Sequence, residues 1–265
     1  MKIGIIGGGN IGGAIVNGLA ADPSIDNSNL YISDLSQTRI DELQHLNKGI
    51  NAGTSNIEVV KHADLIVLAV KPWLVGTVVN EIKQHINYNN QLVVSVAAGV
   101  DFSQLVTFFS KNEHEIPVLF RMIPNTAIAI GKGVLTLSHN NASIEQVEMV
   151  KELFSKLGNV FVVAESQLNA FMSLSSCGIA YAFRYIRAAV EGAVEMGINA
   201  SLAQQVVAQT LIGAAELLTQ NASHPEAEID KVTTPGGITI KGLNEMEAHG
   251  FTNSVIKGLK ASLIK

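Results

Sequence analysis

The chain has 265 residues, 47% of them hydrophobic and 15% charged, with mean hydropathy +0.28 and a net charge of −5. That length holds one large domain or two modest ones. The acidic balance, with no basic stripe, argues against a nucleic-acid partner, and the single cysteine, Cys177, excludes an intramolecular disulfide or a multi-cysteine metal site. A lone cysteine fits a reducing, cytoplasmic setting. Leu168 to Val194 is the longest apolar stretch, but it carries Arg184, Arg187 and Glu191, which points to a buried or interface helix rather than a membrane span.

Lys2 to Ile6 reads as a short buried strand, not as a signal peptide, because glycines interrupt the apolar run that follows. Gly7, Gly9 and Gly12 form G-x-G-x-x-G, and Ala14 to Leu19 continues as an amphipathic helix. In this strand–turn–helix setting the glycines suit a tight turn, close approach of a pyrophosphate, and close helix–strand packing. The helix N-terminus adds free N–H groups and a positive dipole end. Asn29 to Asp34 is the second strand, ending about 22 residues beyond Gly12 in an acid placed to meet the adenosine ribose hydroxyls. Asp34 also reads as a cap for the helix beginning near Ser36. Ser36 and Arg39 are candidate receivers of a 2′-phosphate, which an acid at Asp34 would repel, so residue chemistry leans towards NAD.

Helix follows over Thr38 to Asn47, a short strand or turn over Gly49 to Ala52, and a short helix from Asn56. Ala63 to Val70 is a continuous apolar run, the mark of a parallel strand covered on both faces. Lys71-Pro72 ends it on the side where a cofactor crevice lies. Leu74 to Ile86 reads as helix and Gln91 to Val96 as strand; the small Ala97-Ala98-Gly99 lets a flat ring approach the backbone. Helix (Asp101 to Phe109), strand (Pro117 to Met122), strand (Gly133 to Ser138), helix (Ser143 to Leu157, with Ser143 as N-cap) and strand (Asn159 to Val163) complete the series.

This alternation predicts an α/β, doubly wound Rossmann domain over residues 1–163. Residues 164–265 read as an all-helical domain: Ser166 to Met196, Ser201 to Thr219, Pro225 to Val232, Thr239 to Ala248 and Thr252 to Leu263. With no linker near Ala164, the first long helix is expected to grow directly out of the last strand. Between these helices lies Thr233-Thr234-Pro235-Gly236-Gly237-Ile238-Thr239. Proline fixes φ, the glycines permit unusual backbone, and a helix start follows, which makes either an anion nest suited to a small carboxylate or an ordinary capping loop.

The combination of IGGGNIGGAI, AVKP (Ala69 to Pro72), SVAAG (Ser95 to Gly99), RMIPNT (Arg121 to Thr126) and TTPGGIT followed by Gly242 resembles pyrroline-5-carboxylate reductases, in order along essentially the whole chain. The resemblance implies a Rossmann domain, an all-helical dimerisation domain, and reduction of L-1-pyrroline-5-carboxylate to L-proline by NADPH or NADH, the last step of proline biosynthesis. Carried over, it places Ile6, Gly7, Gly8, Gly9, Asn10, Ile11 and Gly12 on the cofactor phosphates and Asp34 at the adenosine ribose or its phosphate, with Asn56 a further cofactor contact. Ala69, Val70, Lys71, Pro72, Ser95, Val96 and Ala97 line the cofactor and nicotinamide. Asn125, Gly236, Gly237, Ile238 and Thr239 hold the substrate, with Thr239 at the ring nitrogen as the catalytic residue. Three positions depart from the family pattern: Ser176-Cys177-Gly178-Ile179-Ala180-Tyr181 stands for G-S-G-P-A-Y, Ala127 replaces a proline, and Ile238 aligns with a threonine or alanine.

Rival chemistry finds less support. A β-hydroxyacid dehydrogenase needs a lysine on the long helix, and no lysine stands between Lys156 and Lys231. A non-catalytic dinucleotide sensor would not need Thr239 and the PGG nest. His45, His62, His85, His114, His139, His224 and His249 are scattered, and no His/Asp/Glu spacing suggests a metal. Tyr181 reads as core packing and Cys177 as a small buried residue. Leu168, Phe171, Leu174, Ile179, Phe183 and Ile186 give the helical third more apolar surface than it can bury alone, which predicts a homodimer or larger assembly, intertwined so that this domain completes a partner's active site.

Overall fold

The computed structural model describes residues 1–111 and 115–263. His114 lies outside the described residues. The chain forms two compact units, residues 1–176 and 177–263.

The first unit is built on an eight-stranded sheet of order β3-β2-β1-β4-β5-β6-β7-β8. Its strands are β1 (Ile3–Ile6), β2 (Leu30–Ser33), β3 (Asn51–Gly53), β4 (Leu65–Leu68), β5 (Leu92–Ser95), β6 (Val118–Pro124), β7 (Gly133–Asn140) and β8 (Gly158–Val162). Strands β1, β4 and β5 bury every residue, as IGII, LIVL and LVVS must when both faces are covered. Their side chains alternate between two cores. Ile3, Ile5, Leu65, Val67, Leu92 and Val94 face α1 (Asn10–Ala20), α2 (Gln37–Leu46) and α6 (Ile144–Ser155). Ile6, Ile66, Leu68 and Val93 face α3 (Asn56–His62), α4 (Val75–Ile82) and α5 (Phe102–Phe109). Helix α5 shows the economy of the pattern: Phe102, Leu105 and Phe109 share a face and are all buried, each contributing roughly 1.5–3 kcal/mol. On β1, a Cβ at Gly4 would stand 2.6 Å from Val59 Cγ1, so glycine lets α3 lie close on the strand.

Side-chain caps start the helices where the sequence suggested. Ser143 and Asp101 form full capping boxes with Gln146 and Gln104, and Ser55 caps α3. Helix α2 is capped by Ser36, whose hydroxyl accepts from Arg39 N–H; the direct cap is therefore Ser36 rather than Asp34.

The strict βα alternation ends at β6. Strand β7 runs antiparallel to β6, with Phe120 opposite His139 and Met122 opposite Leu137. The reason is the connection: only a 3₁₀ segment, Thr126–Ile130, closed by Gly131 at φ +67°, joins the two strands. A parallel return needs a crossover of a dozen residues or more.

The single helix expected over Ser166 to Met196 is divided. A 3₁₀ turn (Glu165–Gln167) leads into the short α7 (Leu168–Phe171), then a π-helical stretch (Met172–Cys177), then α8 (Gly178–Glu195). Small hydroxyl residues compete with the backbone here; Ser175 Oγ donates to the Phe171 carbonyl at 2.7 Å. Cys177 at the end of this stretch is partly exposed, not buried.

The second unit comprises α8, α9 (Ala200–Asn221), α10 (Pro225–Lys231), α11 (Ile238–Ala248) and α12 (Phe251–Ala261). Its buried cluster is small: Val190, Ala193 and Ala203, with Ile186 packed against them. No helix among the described residues is long and apolar enough to cross a membrane.

Candidate active site

Strand order reverses between β1 and β4: the chain moves from β1 out to β2 and β3, then returns to the other side of β1. The carboxyl ends of β1 and β4 therefore leave their following loops in opposite directions, which opens a crevice of the kind that takes dinucleotides. The register puts Ile6 beside Leu68, and Leu68 beside Ser95. Gly7, Ala69 and Val96 thus emerge side by side.

The glycine loop is shaped by contact as well as by φ. Gly7 sits at φ +102°, and a Cβ there would meet the Ala69 carbonyl oxygen at 2.7 Å. A Cβ on Gly12 would collide with the Gly7 carbonyl, so α1 reaches the strand only without one. Gly9 caps α1 without a side-chain hydrogen bond, and its Cβ position is open space. An exposed backbone beside uncapped helix N–H groups is what a pyrophosphate needs to come close, so these residues fit a dinucleotide.

Two side chains brace this loop from α2 and the end of β2. Gly8 N–H donates to Asp34 Oδ2 at 2.7 Å, and Arg39 Nε donates to the Gly8 carbonyl at 2.6 Å. Arg39 also pairs with Glu42 at 2.9 Å. Its guanidinium lies across α1 where a Cβ at Gly13 would collide with Nη2, so the glycine just after the motif makes room for it. The brace had no signal in the sequence, because its partners are 26 and 31 residues apart.

The remaining positions divide by environment. Asn56 is buried; Ser33 Oγ donates to its Oδ1 at 2.8 Å, and its Nδ2 donates to Glu81 at 2.9 Å. Lys71 and Trp73 are exposed after β4, and Pro72 begins a 3₁₀ turn. Ala97 is buried, and its N–H donates to Ser95 Oγ at 3.4 Å. Asn125 follows β6, buried, its Oδ1 accepting from Ala127 and Val134 N–H at 3.3 and 3.2 Å. Below this edge Arg121, also buried, donates to Glu165 at 2.6 Å, and the same carboxylate oxygen accepts the Phe102 N–H at 2.7 Å. That carboxylate ties β6 and the start of α5 to the segment after β8, across 44 and 63 residues of sequence.

In the second unit, Thr234-Pro235-Gly236-Gly237 forms a tight turn. Gly237 N–H donates to the Thr234 carbonyl at 2.9 Å, with Gly236 at φ +74°. Proline followed by a positive-φ glycine is the signature of a type II turn. Gly237 is then the cap of α11 with no side-chain hydrogen bond, and Ile238 and Thr239 are exposed in the first turn. The first turn of α11 therefore offers its N–H groups, with a hydroxyl beside them. Tyr181 belongs to the same unit and is not core-packed: it is 37% exposed, and its hydroxyl bonds to the Gly258 carbonyl of α12 and to Ser262, which caps that helix.

The fold and crevice define an NAD(P)-dependent oxidoreductase. Residues 2–99 match the family described as NADP oxidoreductase, coenzyme F420-dependent, and residues 165–265 match the one described as pyrroline-5-carboxylate reductase dimerisation. The chain is 34% identical over 263 residues to pyrroline-5-carboxylate reductase 3 of Danio rerio, covering 99% of this chain and 89% of that protein. It is 35% identical over 272 residues to pyrroline-5-carboxylate reductase 1 of Dictyostelium discoideum; 98% of this chain matches 48% of that protein, so it spans about half of that relative. The crystal structure of a Plasmodium falciparum pyrroline carboxylate reductase with NADP bound superposes with a TM-score of 0.88 at 27% identity, covering 99% and 95% of the two chains. The chain belongs to the pyrroline-5-carboxylate reductase family.

Proposed function

We propose that this chain reduces L-1-pyrroline-5-carboxylate to L-proline with NADPH or NADH, and that the two units divide the work. A bound nicotinamide supplies the hydride. Residues Ile6 to Gly12 seat the pyrophosphate; Asp34 meets the adenosine ribose or its phosphate, and Asn56 is a further cofactor contact. Ala69 to Pro72 and Ser95 to Ala97 line the remainder. Asn56 acts on this reading through Ser33 and Glu81, its side-chain bonding partners.

The observation that carries the substrate reading is the Pro235-Gly236-Gly237 turn, which opens directly into the uncapped start of α11. Its N–H groups hold a carboxylate, and Thr239 Oγ1, one residue into that helix, bonds the ring nitrogen. Asn125 is the substrate contact that family resemblance assigns to the first unit. A C=N carbon accepts hydride best when its nitrogen is protonated, and a cyclic imine takes that proton near neutral pH. The protein's contribution is then orientation and electrostatics, not strong acid catalysis. Thr239 fixes the nitrogen, and the nest fixes the carboxylate at the other side of the same carbon framework.

The second unit is the self-association surface, and the assembly is a homodimer or larger. The support is exposed apolar surface: Phe183 is 60% exposed, Met196 75% and Val206 56%. A groove of about 880 Å³, lined by Tyr185, Ala189, Leu211, Met246, Phe251 and Val255 among others, lies within this unit. The cytoplasmic location proposed for it agrees with the lone cysteine. The test is NADH or NADPH oxidation on addition of pyrroline-5-carboxylate, with proline identified as product. Oxidation without proline, or none with either cofactor, would sink the reading.

A further inference from the structure

The joint built on Glu165 stands where β5 and β6 part. We propose that Glu165 is a positioning residue for the reduction. One of its carboxylate oxygens holds the chain that leaves β5 and the chain that ends β6 at a fixed separation, and that separation sets the reach from nicotinamide to imine carbon. The proposal rests on the reading above, in which Ser95 to Ala97 line the nicotinamide and Asn125 meets the substrate.

Strands β5 and β6 run side by side up to the row in which Ser95 lies opposite Arg121. Beyond that row they separate. The chain from β5 passes through Ala97 and Gly99, the latter at φ +83°, and enters α5 at its cap, Asp101. Strand β6 continues through Met122, Ile123 and Pro124 in register with β7, and Asn125 follows. No strand pairing between β5 and β6 spans this part among the described residues, so other groups must set the distance between the two chains.

Glu165, in the 3₁₀ turn after β8, does this with one atom. Its Oε1 accepts from Arg121 Nη1 at 2.6 Å and from Phe102 N–H at 2.7 Å. Phe102 is the first residue of α5, so its N–H has no acceptor within the helix, and a carboxylate there also meets the positive end of the helix dipole. The capping box of Asp101 and Gln104 leaves that N–H to Glu165. Arg121 closes the triangle: its guanidinium carbon lies 5.9 Å from the centre of the Phe102 ring. Arg121 and Phe102 are 6% and 7% exposed, so water is a poor substitute for the carboxylate. From Arg121 the strand leads straight to Asn125, and from Phe102 the chain leads back to Ala97. A shift at Glu165 therefore moves the two ends against each other.

Single-turnover oxidation of reduced cofactor by pyrroline-5-carboxylate, followed by stopped flow beside a fluorescence titration of the same cofactor, tests this. Glu165→Gln keeps an acceptor for the Phe102 N–H but removes the anion that Arg121 needs. It should slow hydride transfer roughly 10–100-fold, the penalty for a misplacement of about 1 Å, with cofactor affinity unchanged within about twofold. The deuterium isotope effect on kcat, from cofactor labelled at nicotinamide C4, should rise as hydride transfer becomes limiting. Glu165→Gln also strands a buried guanidinium. The double variant Arg121→Met with Glu165→Gln removes that charge and leaves β6 untied. A merely structural role predicts that the double variant regains stability and rate together; positioning predicts that it regains stability alone. A wild-type rate of hydride transfer in folded Glu165→Gln, or in the double variant, overturns the proposal. Should one variant fail to fold, the other decides. Absence of proline from the wild type would overturn the substrate reading, whereas proline formed at an unchanged rate by the variants would overturn only the role of Glu165.

Discussion

The two units of this chain solve the same problem in opposite ways. In the first, apolar side chains close on themselves: β1, β4 and β5 bury every residue, and Phe109, Phe120 and Phe154 are fully enclosed. In the second, five helices bury little more than Val190, Ala193 and Ala203, while Phe183, Leu202, Val206, Ile212 and Val255 stay at least 46% exposed. A unit of the first kind holds a cofactor crevice in register by itself. A unit of the second kind is incomplete alone, and its apolar surface makes association with another copy part of its folding.

The contrast is sharpest in the response to losing a phenylalanine. Phe109→Ala should destabilise the protein by about 3–5 kcal/mol, because removing a fully buried ring leaves an apolar cavity in a close-packed core; a shift in the urea midpoint at constant slope measures it. Gly12→Ala should cost about 1–3 kcal/mol from the collision with the Gly7 carbonyl and abolish dinucleotide binding followed by NADH fluorescence. Phe183→Glu should leave the first unit folded and reduce the solution mass to the 28.2 kDa of one chain, where the wild type gives at least twice that. A wild-type protein that scatters as a single chain at micromolar concentration would remove the comparison's basis.

Smaller effects come from single hydroxyl groups. Thr239→Ala should lower kcat about tenfold, the worth of one lost hydrogen bond of about 1–1.5 kcal/mol, with NADH affinity unchanged. An unchanged kcat would take Thr239 out of the chemistry. The smallest effect is set by pH. Burial, with Glu115 adding to it, lifts the Tyr88 hydroxyl from 10.0 to about 12. That hydroxyl donates to the Phe109 carbonyl at 2.5 Å. Because the folded value is the higher one, the neutral hydroxyl's stabilisation is complete below pH 10 and is lost as pH rises through about 12. Tyr88→Phe should remove this component of alkaline unfolding and leave the first unit's other transitions in place.

Local signals in the sequence carried most of the first unit. Apolar runs such as ADLIVLAV have the period and length of buried parallel strands, and Ser143 with Gln146 is a capping box visible four letters at a time. What escaped depends on chain direction and on distant pairs. The reversal at β7 follows from how short its connection to β6 is, which strand patterns do not encode. The π-helical stretch at Met172–Cys177 keeps a helix-like pattern, so periodicity reads through it. The Asp34–Gly8–Arg39 brace and the Arg121–Glu165 pair join residues 26 to 44 positions apart. Nothing in the sequence around any one of them names its partner. The PGG turn was legible as a turn, because proline and glycine announce it. The substrate role proposed for it came from family resemblance, since any small anion would suit the same N–H groups.

The central claim is hydride delivery to a cyclic imine, and isotope transfer addresses it most directly. Reduced dinucleotide dideuterated at the nicotinamide C4 position is incubated with the enzyme and pyrroline-5-carboxylate, and the product is analysed by mass spectrometry and NMR. The account predicts L-proline carrying a single deuterium, on the ring carbon formerly double-bonded to nitrogen. Proline formed without the label, or oxidised dinucleotide formed without proline, would contradict it.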